Sequence, residues 1–528
     1  MRRFNVLDEP FVYVIICAVG AILYFKSLAF GFSYLDDNVL ILNNIPFLEN
    51  LGNIFQTFTQ GVFAAAHNTE MYYRPFLTIS FMPEAALGGA IPFLYHFGNV
   101  GIHLVSACLV FLLFIKLKYS KPISFLSAMV FVVHPVLTQA VSWIPGRNDS
   151  LLAVFVLASF ICFLKFIGEK KDSALFLSIF FFACALFTKE TAFVVPLLSI
   201  GYLWAHDALK KTTIMPLGIG WFSAIGVWFS LRLIALAHQP PMPAFEMASS
   251  FLKNIPGTLH MIGKVFFPFN LSVLPNLQNT TSLWGIAVLA CIAVLVVFQV
   301  REKHESRQTY LMMLFGIAWF ILFLWPSFVR PNLSITPDFM EHRLYLPIIG
   351  IGIFIAESRA GRCLDGLKSR WCIIVWLAVI LIFASITFIH QDVFSTRLTF
   401  WQNAVKYSPD SPLAQKNLGA MYYLDQDYSL AEIYSRKALA LNPEETMVHN
   451  NLGLIYVARG QFKEAEQEYL AEISFNPYYD DAHYNFGLLY YHMGDFINAR
   501  KQWEETLRVN PNYVDAWRAL QTLNAEGK

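Results

Sequence analysis

Charge is scarce in this sequence. Asp, Glu, Lys and Arg make up 14% of its 528 residues, against about 25% in soluble globular chains, so much of the chain must face something other than water. An excess of one sign is lacking as well: the net charge is +1, which leaves no electrostatic footprint for nucleic acid. Only seven cysteines occur, Cys17, Cys108, Cys162, Cys184, Cys291, Cys363 and Cys372, all in or beside apolar runs and none with zinc spacing. They read as small buried hydrophobes, not as disulfides or a metal cage. A glycine-rich phosphate loop, a G-x-S-x-G elbow and H-E-x-x-H are all missing, so nucleotide hydrolysis and serine or zinc proteolysis have no support. Hydrophobic residues are what the chain has in abundance, 56% with 16% aromatic, and that excludes disorder.

Apolar runs of spanning length follow one another as far as residue 392. A bilayer core takes roughly 20 apolar residues per helix, and the pattern predicts eleven spans, near 10–30, 99–115, 122–138, 150–168, 173–188, 190–205, 214–237, 282–300, 309–327, 345–357 and 371–390. Read as one helix, Asp172 to Trp204 would run about 50 Å at 1.5 Å per residue. The hydrocarbon core is about 30 Å thick, so a hairpin of two short helices turning at Thr188-Lys189-Glu190 is expected. Basic clusters occupy alternate connections: Arg2-Arg3, Lys116/Lys118/Lys121, Lys165/Lys170/Lys171, Lys210-Lys211, Arg301/Lys303/Arg307 and Arg359/Arg362/Lys368/Arg370. The positive-inside rule places these in the cytoplasm, with the N-terminus inside and the C-terminus outside. The first apolar run lacks a small-residue cleavage site, so it reads as an anchor and not a removed signal. Ionisable residues inside the spans are few, Arg232 and the terminal lysines apart, which argues against an ion pathway.

After residue 392 the chain turns polar and periodic. Pro409, Pro443, Pro477 and Pro511 recur every 34 residues, as do Asn417-Leu418-Gly419, Asn451-Leu452-Gly453 and Asn485-Phe486-Gly487, and Ala431, Ala465 and Ala499. That period with those residues is the tetratricopeptide signature. Three repeats and a terminal helix from Asn512 to about Asn524 are expected. The fold class is therefore all-α: residues 1–392 a polytopic membrane domain, residues 393–528 a tetratricopeptide α-solenoid. Asn417, Asn451 and Asn485 share one helix position, so a ladder of amides is predicted to bind a peptide backbone without reading its sequence.

Polar chemistry gathers in the connections assigned to the outer side. The first carries Asp36-Asp37, and a carboxylate desolvated beside a like charge rises toward the range of a general base. The same loop supplies Arg74 after Tyr72-Tyr73, and its Pro92–His96 stretch reads as an interfacial segment. The next runs from His134-Pro135 through Gln139 to Arg147-Asn148-Asp149, a polar density between two spans that implies a protein-lined cavity. Lys189-Glu190 caps the tight hairpin, and Glu341-His342-Arg343-Leu344-Tyr345 enters the tenth span. Paired carboxylates suit a hard divalent ion, but the sequence gives no complete ligand set. Sequons at Asn270, Asn279 and Asn332 lie on the outer side.

The motif order YLDDNVLILNN, YYRPFLTISF, HPVLTQAVSWIPGRNDSL, TKETAFVVPLL and EHRLYLPIIGIGIF, followed by 34-residue repeats, resembles the TMTC family, transmembrane and tetratricopeptide-repeat proteins with a GT-C glycosyltransferase fold. The resemblance implies a mannosyl-type transferase that uses a polyprenyl-phosphate sugar and modifies Ser or Thr hydroxyls outside the cytoplasm. It implies catalytic roles for Asp36 and Asp37 and active-site places for Arg74, His134, Arg147, Lys189, Glu190, Glu341, Arg343 and Tyr345. The donor phosphate is expected to meet Arg343 first, then Lys189, Arg147 or His342, while Asp36 or Asp37 takes the acceptor proton in an inverting displacement. Gln139 and Asn148 depart from the family pattern, which has Glu and commonly Ala at those places. The compact repeat array leans toward a bacterial inner membrane with periplasmic repeats; an endoplasmic reticulum protein has the same topology. Two further readings stand beside this one: a non-catalytic membrane scaffold, and a GT-C enzyme acting on a glycan or lipid.

Overall fold

The computed structural model describes residues 9–64, 72–237, 244–301, 306–329, 338–362 and 370–526. Arg2, Arg3, Lys303, Cys363, Lys368 and the Asn332 sequon lie outside them. Within them the chain is all-helical, with no strand, and it divides into two compact units, residues 1–400 and 401–528. The compositional break near 392 falls just before the polar helix Arg397–Tyr407.

Among the described residues, seven helices of the first unit are long and apolar enough to cross a bilayer: Pro10–Ala29, Pro92–Lys116, Ile144–Glu169, Lys211–Ala235, Leu283–Arg301, Arg307–Phe328 and Trp371–Phe394. An eighth forms if Lys121–Val133 and Pro135–Ser142, bent by 53°, make one span. Asp172–Thr188, Glu190–Ala205 and Pro347–Glu357 stand at the places of the remaining expected spans but are shorter apolar helices. The protein is thus a multi-pass membrane protein. Pro92–His96 forms the first turn of the long helix Pro92–Lys116, where proline is preorganised for the first position.

Two breaks position the polar groups. Pro135 lacks an N–H and keeps His134 out of the helical region, so the helix ends at Val133 and the chain bends. The segment after the bend is a buried wedge of short helices, Pro135–Leu137, Thr138–Ser142 and Ile144–Gly146, leading straight into Arg147–Glu169. Lys189 interrupts the hairpin in extended conformation, φ −159° and ψ 141°. The turn Glu341–Leu344 is fixed from below by a close helix crossing: a Cβ on Gly316 would stand 2.6 Å from the Gly350 carbonyl oxygen, a contact that only small residues allow.

The second unit contains three helical pairs, Pro412–Leu424 with Tyr428–Leu441, Val448–Ala458 with Phe462–Phe475, and Asp480–Met493 with Phe496–Val509, then Val514–Ala525. The 34-residue period reappears as contacts. Gly419, Gly453 and Gly487 let Ser435, Tyr469 and Trp503 of the paired helix lie against the backbone. Successive units are braced by Tyr456 donating to Glu432 and Tyr490 to Glu466, both 2.9 Å, with Arg500 donating to Asn524 at 2.7 Å one period on. Trp503 is buried, and its indole N–H donates to the Tyr484 carbonyl at 3.2 Å. A Cβ on Gly487 would sit 2.5 Å from its Cδ1, and the ring has nowhere to go. Gly487→Ala is therefore expected to destabilise this unit by about 1–3 kcal/mol, read as an earlier unfolding step of the intact protein.

Candidate active site

The residues at the ends of these helices form one network of charges. Asp149, in the first turn of Arg147–Glu169, accepts from Lys189 Nζ with both oxygens at 2.8 Å, and His342 Nε2 lies 3.6 Å from the same carboxylate. Arg74 donates from Nε and Nη2 to Glu190 Oε2 at 3.3 and 3.2 Å, and stacks on Tyr72 at 4.4 Å. Arg343 pairs with Asp338 at 2.5 Å and donates to its backbone carbonyl at 2.7 Å. The charges act on one another across these pairs: Lys189 feels Arg74 and Arg343, and Asp149 feels Arg74. Arg74, Asp149, Lys189, Glu190, His342 and Arg343 thus share one site.

His342 enters this site neutral. Burial pushes its pKa down to about 3 against the opposing pull of Asp149, so it offers hydrogen bonding rather than charge. Among the described residues its Nδ1 finds no hydrogen-bond partner. Trp143 packs against this ring at a tilt of 47°, centroids 5.5 Å apart, and donates from Nε1 to Ser33 Oγ at 3.0 Å. Ser33 in turn donates to Asp37 from its hydroxyl at 2.9 Å and its backbone N–H at 2.6 Å. Asp37 of the first-loop acidic pair is connected by this route to the cluster.

The two aspartates differ. Asp37 is 1% exposed, and its carboxylate also accepts from Leu35 N at 3.1 Å. It therefore ties together the residues on both sides of Tyr34, whose φ of 60° is a conformation that L residues rarely hold. Burial raises the Asp37 pKa, and these hydrogen bonds oppose the rise. Asp36, half-buried, begins the short helix Asp37–Leu40.

Other predicted positions lie elsewhere. Arg147 is fully buried, donating to Asn99 Oδ1 (2.6 Å), Ser80 O (2.6 Å) and Tyr95 O (2.7 Å), paired with Glu84 at 2.9 Å and stacked on Phe81. With its donors so engaged it clamps three helices and is not disposed to hold a donor phosphate. His134 places Nε2 3.0 Å from Val265 O, takes the Val136 N–H on Nδ1 at 3.4 Å, and packs on Phe383; it caps the helix after the bend. Tyr345 points into the bundle, its hydroxyl 2.7 Å from His103 Nδ1. Glu341 turns away from His342 to pair with Lys264, accept from Ser272 N at 2.9 Å, and face His390 at 3.8 Å; burial raises its pKa despite Lys264.

Sequence reasoning missed Asp149, Asp338 and Lys264 as partners. Lys264 had a signal, a lone charge within Met261-Ile262-Gly263-Lys264-Val265-Phe266. The two departures from the family pattern are wired into the site. Gln139 donates to Val273 O at 3.0 Å and accepts from His342 N at 3.3 Å, and Asn148, with its amide turned to satisfy both neighbours, accepts from Arg74 at 3.0 Å and donates to Thr188 O at 3.1 Å. Among the described residues no three His, Cys, Asp or Glu side chains gather as a metal site. In the repeats, Asn417 spends an amide proton on Leu413 O at 2.9 Å and Asn485 on Asn450 Oδ1 at 3.0 Å.

Residues 95–230 match the family described as dolichyl-phosphate-mannose-protein mannosyltransferase, and residues 453–494 match a TPR repeat. Mouse protein O-mannosyl-transferase TMTC3 is 24% identical over 473 residues, 80% of this chain and 50% of that protein. Human protein O-mannosyl-transferase TMTC2 is 30% identical over 208 residues, 38% of this chain and 25% of that one, and Drosophila melanogaster protein O-mannosyl-transferase Tmtc1 is 30% identical over 182 residues, 34% and 21%. The chain is similar to these proteins over part of their length, and in its match to TMTC3 it spans about half the length of that relative.

Proposed function

We propose that the chain transfers mannose from a polyprenyl-phosphate carrier to Ser or Thr hydroxyls of polypeptides on the non-cytoplasmic side of its membrane, with a bacterial inner membrane and periplasmic repeats as the favoured setting. The observation that supports this most is the meeting of Arg74, Lys189, Arg343 and neutral His342 with Asp149, Glu190 and Asp338 beside the Asp36-Asp37 loop.

The donor is a phosphodiester whose leaving phosphate gains negative charge as the bond to the anomeric carbon breaks. Fixed positive groups stabilise that charge without reorganising. Arg343 and Lys189 supply it, and His342 Nδ1 is the orphan polar atom that a phosphate oxygen or its proton would satisfy. The acceptor oxygen attacks the anomeric carbon, its proton passes to Asp36, and the polyprenyl phosphate departs with the bonding pair, inverting the centre. Asp37 holds the turn that aims Asp36. Glu190 and Asp149 keep Arg74 and Lys189 in place. Asn417, Asn451 and Asn485 retain side-chain oxygens with which to accept backbone N–H groups of an acceptor peptide.

Glycopeptide mass spectrometry of cells with and without the gene tests the reading. Hexose-modified Ser or Thr peptides that vanish with the gene are expected. An unchanged glycoproteome with altered lipid-linked or surface glycans would contradict the peptide acceptor.

A further inference from the structure

Lys264 is a buried ammonium that the transfer mechanism does not use. It lies in the last turn of the helix Gly257–Phe266 and is 4% exposed. Gly257, His260, Met261 and Lys264 recur at the spacing of one helical face, and all four are buried. A Cβ on Gly257 would stand 2.6 Å from Phe339 Cδ1, so a small residue is needed for the helix to lie that close. At its other end Lys264 pairs with Glu341. The helix therefore runs along the segment from Phe339 to Glu341, immediately before His342 and Arg343.

The chain after this helix holds the same segment by hydrogen bonds. Ser272 N donates to Glu341 Oε1 at 2.9 Å, and Phe339 N donates to Pro275 O at 2.8 Å. Gln139 joins the two sides, donating to Val273 O at 3.0 Å and accepting from His342 N at 3.3 Å. Ser272, Val273 and Leu274 are buried, so water does not compete for these bonds. The other oxygen of Glu341 faces His390 Nε2 at 3.8 Å, beyond hydrogen-bond reach. Among the described residues Lys264 is thus the cation that lets Glu341 stay buried as a carboxylate, since a buried charge needs a partner. We infer that Lys264 is a positioning residue for sugar transfer: by keeping Glu341 seated on Ser272 N it fixes the turn Glu341–Leu344, and with it the placement of His342 and Arg343 against the leaving phosphate. The inference rests on the transferase reading and adds to it the device that aims this turn.

Variants of the full chain in nanodiscs test it. Lys264→Met strands the Glu341 carboxylate and is expected to lower both the unfolding temperature and kcat. Adding Glu341→Gln removes the charge yet keeps an oxygen for Ser272 N, and is expected to recover both. Adding Glu341→Met instead also removes the charge but offers Ser272 N nothing. Its unfolding temperature is expected to rise above that of Lys264→Met, while kcat stays about 100-fold below wild type, the cost of a misplacement of about 1 Å, with KM for the acceptor peptide unchanged. Equal kcat in the two double variants, whether recovered or lost, overturns the inference, and so does a kcat that merely follows the unfolding temperature. Should the methionine double variant not fold, Gln139→Met cuts the other side-chain link to the turn without stranding a charge; kcat is expected to fall there too, and wild-type kcat overturns the inference. Calorimetric titration with polyprenyl phosphate keeps this apart from the transferase reading. Absence of transfer by the wild type contradicts the function, whereas affinity lost with Glu341→Met and kept with Glu341→Gln still supports the positioning role, and equal affinity in both overturns it.

Discussion

Asp36→Asn is expected to lower kcat for mannosyl transfer by about 100- to 10,000-fold, the range that loss of a positioned general base produces, with little change in KM or in thermal unfolding. Asp36 is half-buried at the start of a short helix, and the isosteric amide keeps its shape while losing the proton acceptor. Asp37→Asn is expected to fail differently. Its carboxylate accepts from Ser33 N, Ser33 Oγ and Leu35 N, and a hydrogen bond to a charged group contributes about 1.5–3 kcal/mol. An amide set there loses the charge and presents N–H groups to donors, so the left-handed turn at Tyr34 loosens. Activity and stability then fall together. Kinetics and melting curves on both variants decide the assignment: full activity in Asp36→Asn removes the base, and an active, destabilised Asp37→Asn confines that residue to a strap.

Lys189→Met is the second large effect. Removing the ammonium leaves Asp149 buried with a neutral His342 at 3.6 Å and the more distant charge of Arg74, and stranding one partner of a buried pair costs about 3–5 kcal/mol. In the proposed mechanism it also removes a cation from the leaving phosphate, where loss of one preorganised group costs about 100- to 1,000-fold in kcat. A double variant separates the two. Lys189→Met with Asp149→Leu removes both charges, and replacing a buried pair by apolar groups is often neutral or better for folding. Folding is expected to return to near wild type while transfer stays at the single-variant level. Return of both would reduce Lys189 to a structural role.

Much of this was legible in the chain. Apolar runs set the helices because a bilayer demands length and composition alone, and the break at Lys189 followed from the mismatch between one long helix and the membrane. The repeats were legible to the residue because the 34-residue spacing is itself the packing rule, glycine against the paired helix. Partners were less so. Arg147 and His134 stand in polar stretches of sequence as Lys189 and Arg343 do, yet the first two satisfy backbone carbonyls and a half-buried Glu84 while the others face the cluster. Spacing along a chain does not encode which way a guanidinium turns. Asp338 gave no signal, being one acidic residue in a loop, and Glu341 differed from its neighbour His342 only by facing Lys264.

The central claim, that this polar cluster is a reaction chamber for sugar transfer, is tested most directly with the purified chain in nanodiscs, given tritiated mannosyl-phosphoryl-polyprenol and a Ser/Thr-rich peptide. The account predicts label in the peptide, released by α-mannosidase or β-mannosidase according to inversion at the donor's anomeric centre, and lost in Asp36→Asn. Label that never leaves the lipid, or that reaches the peptide equally well in Asp36→Asn and Lys189→Met, would contradict it.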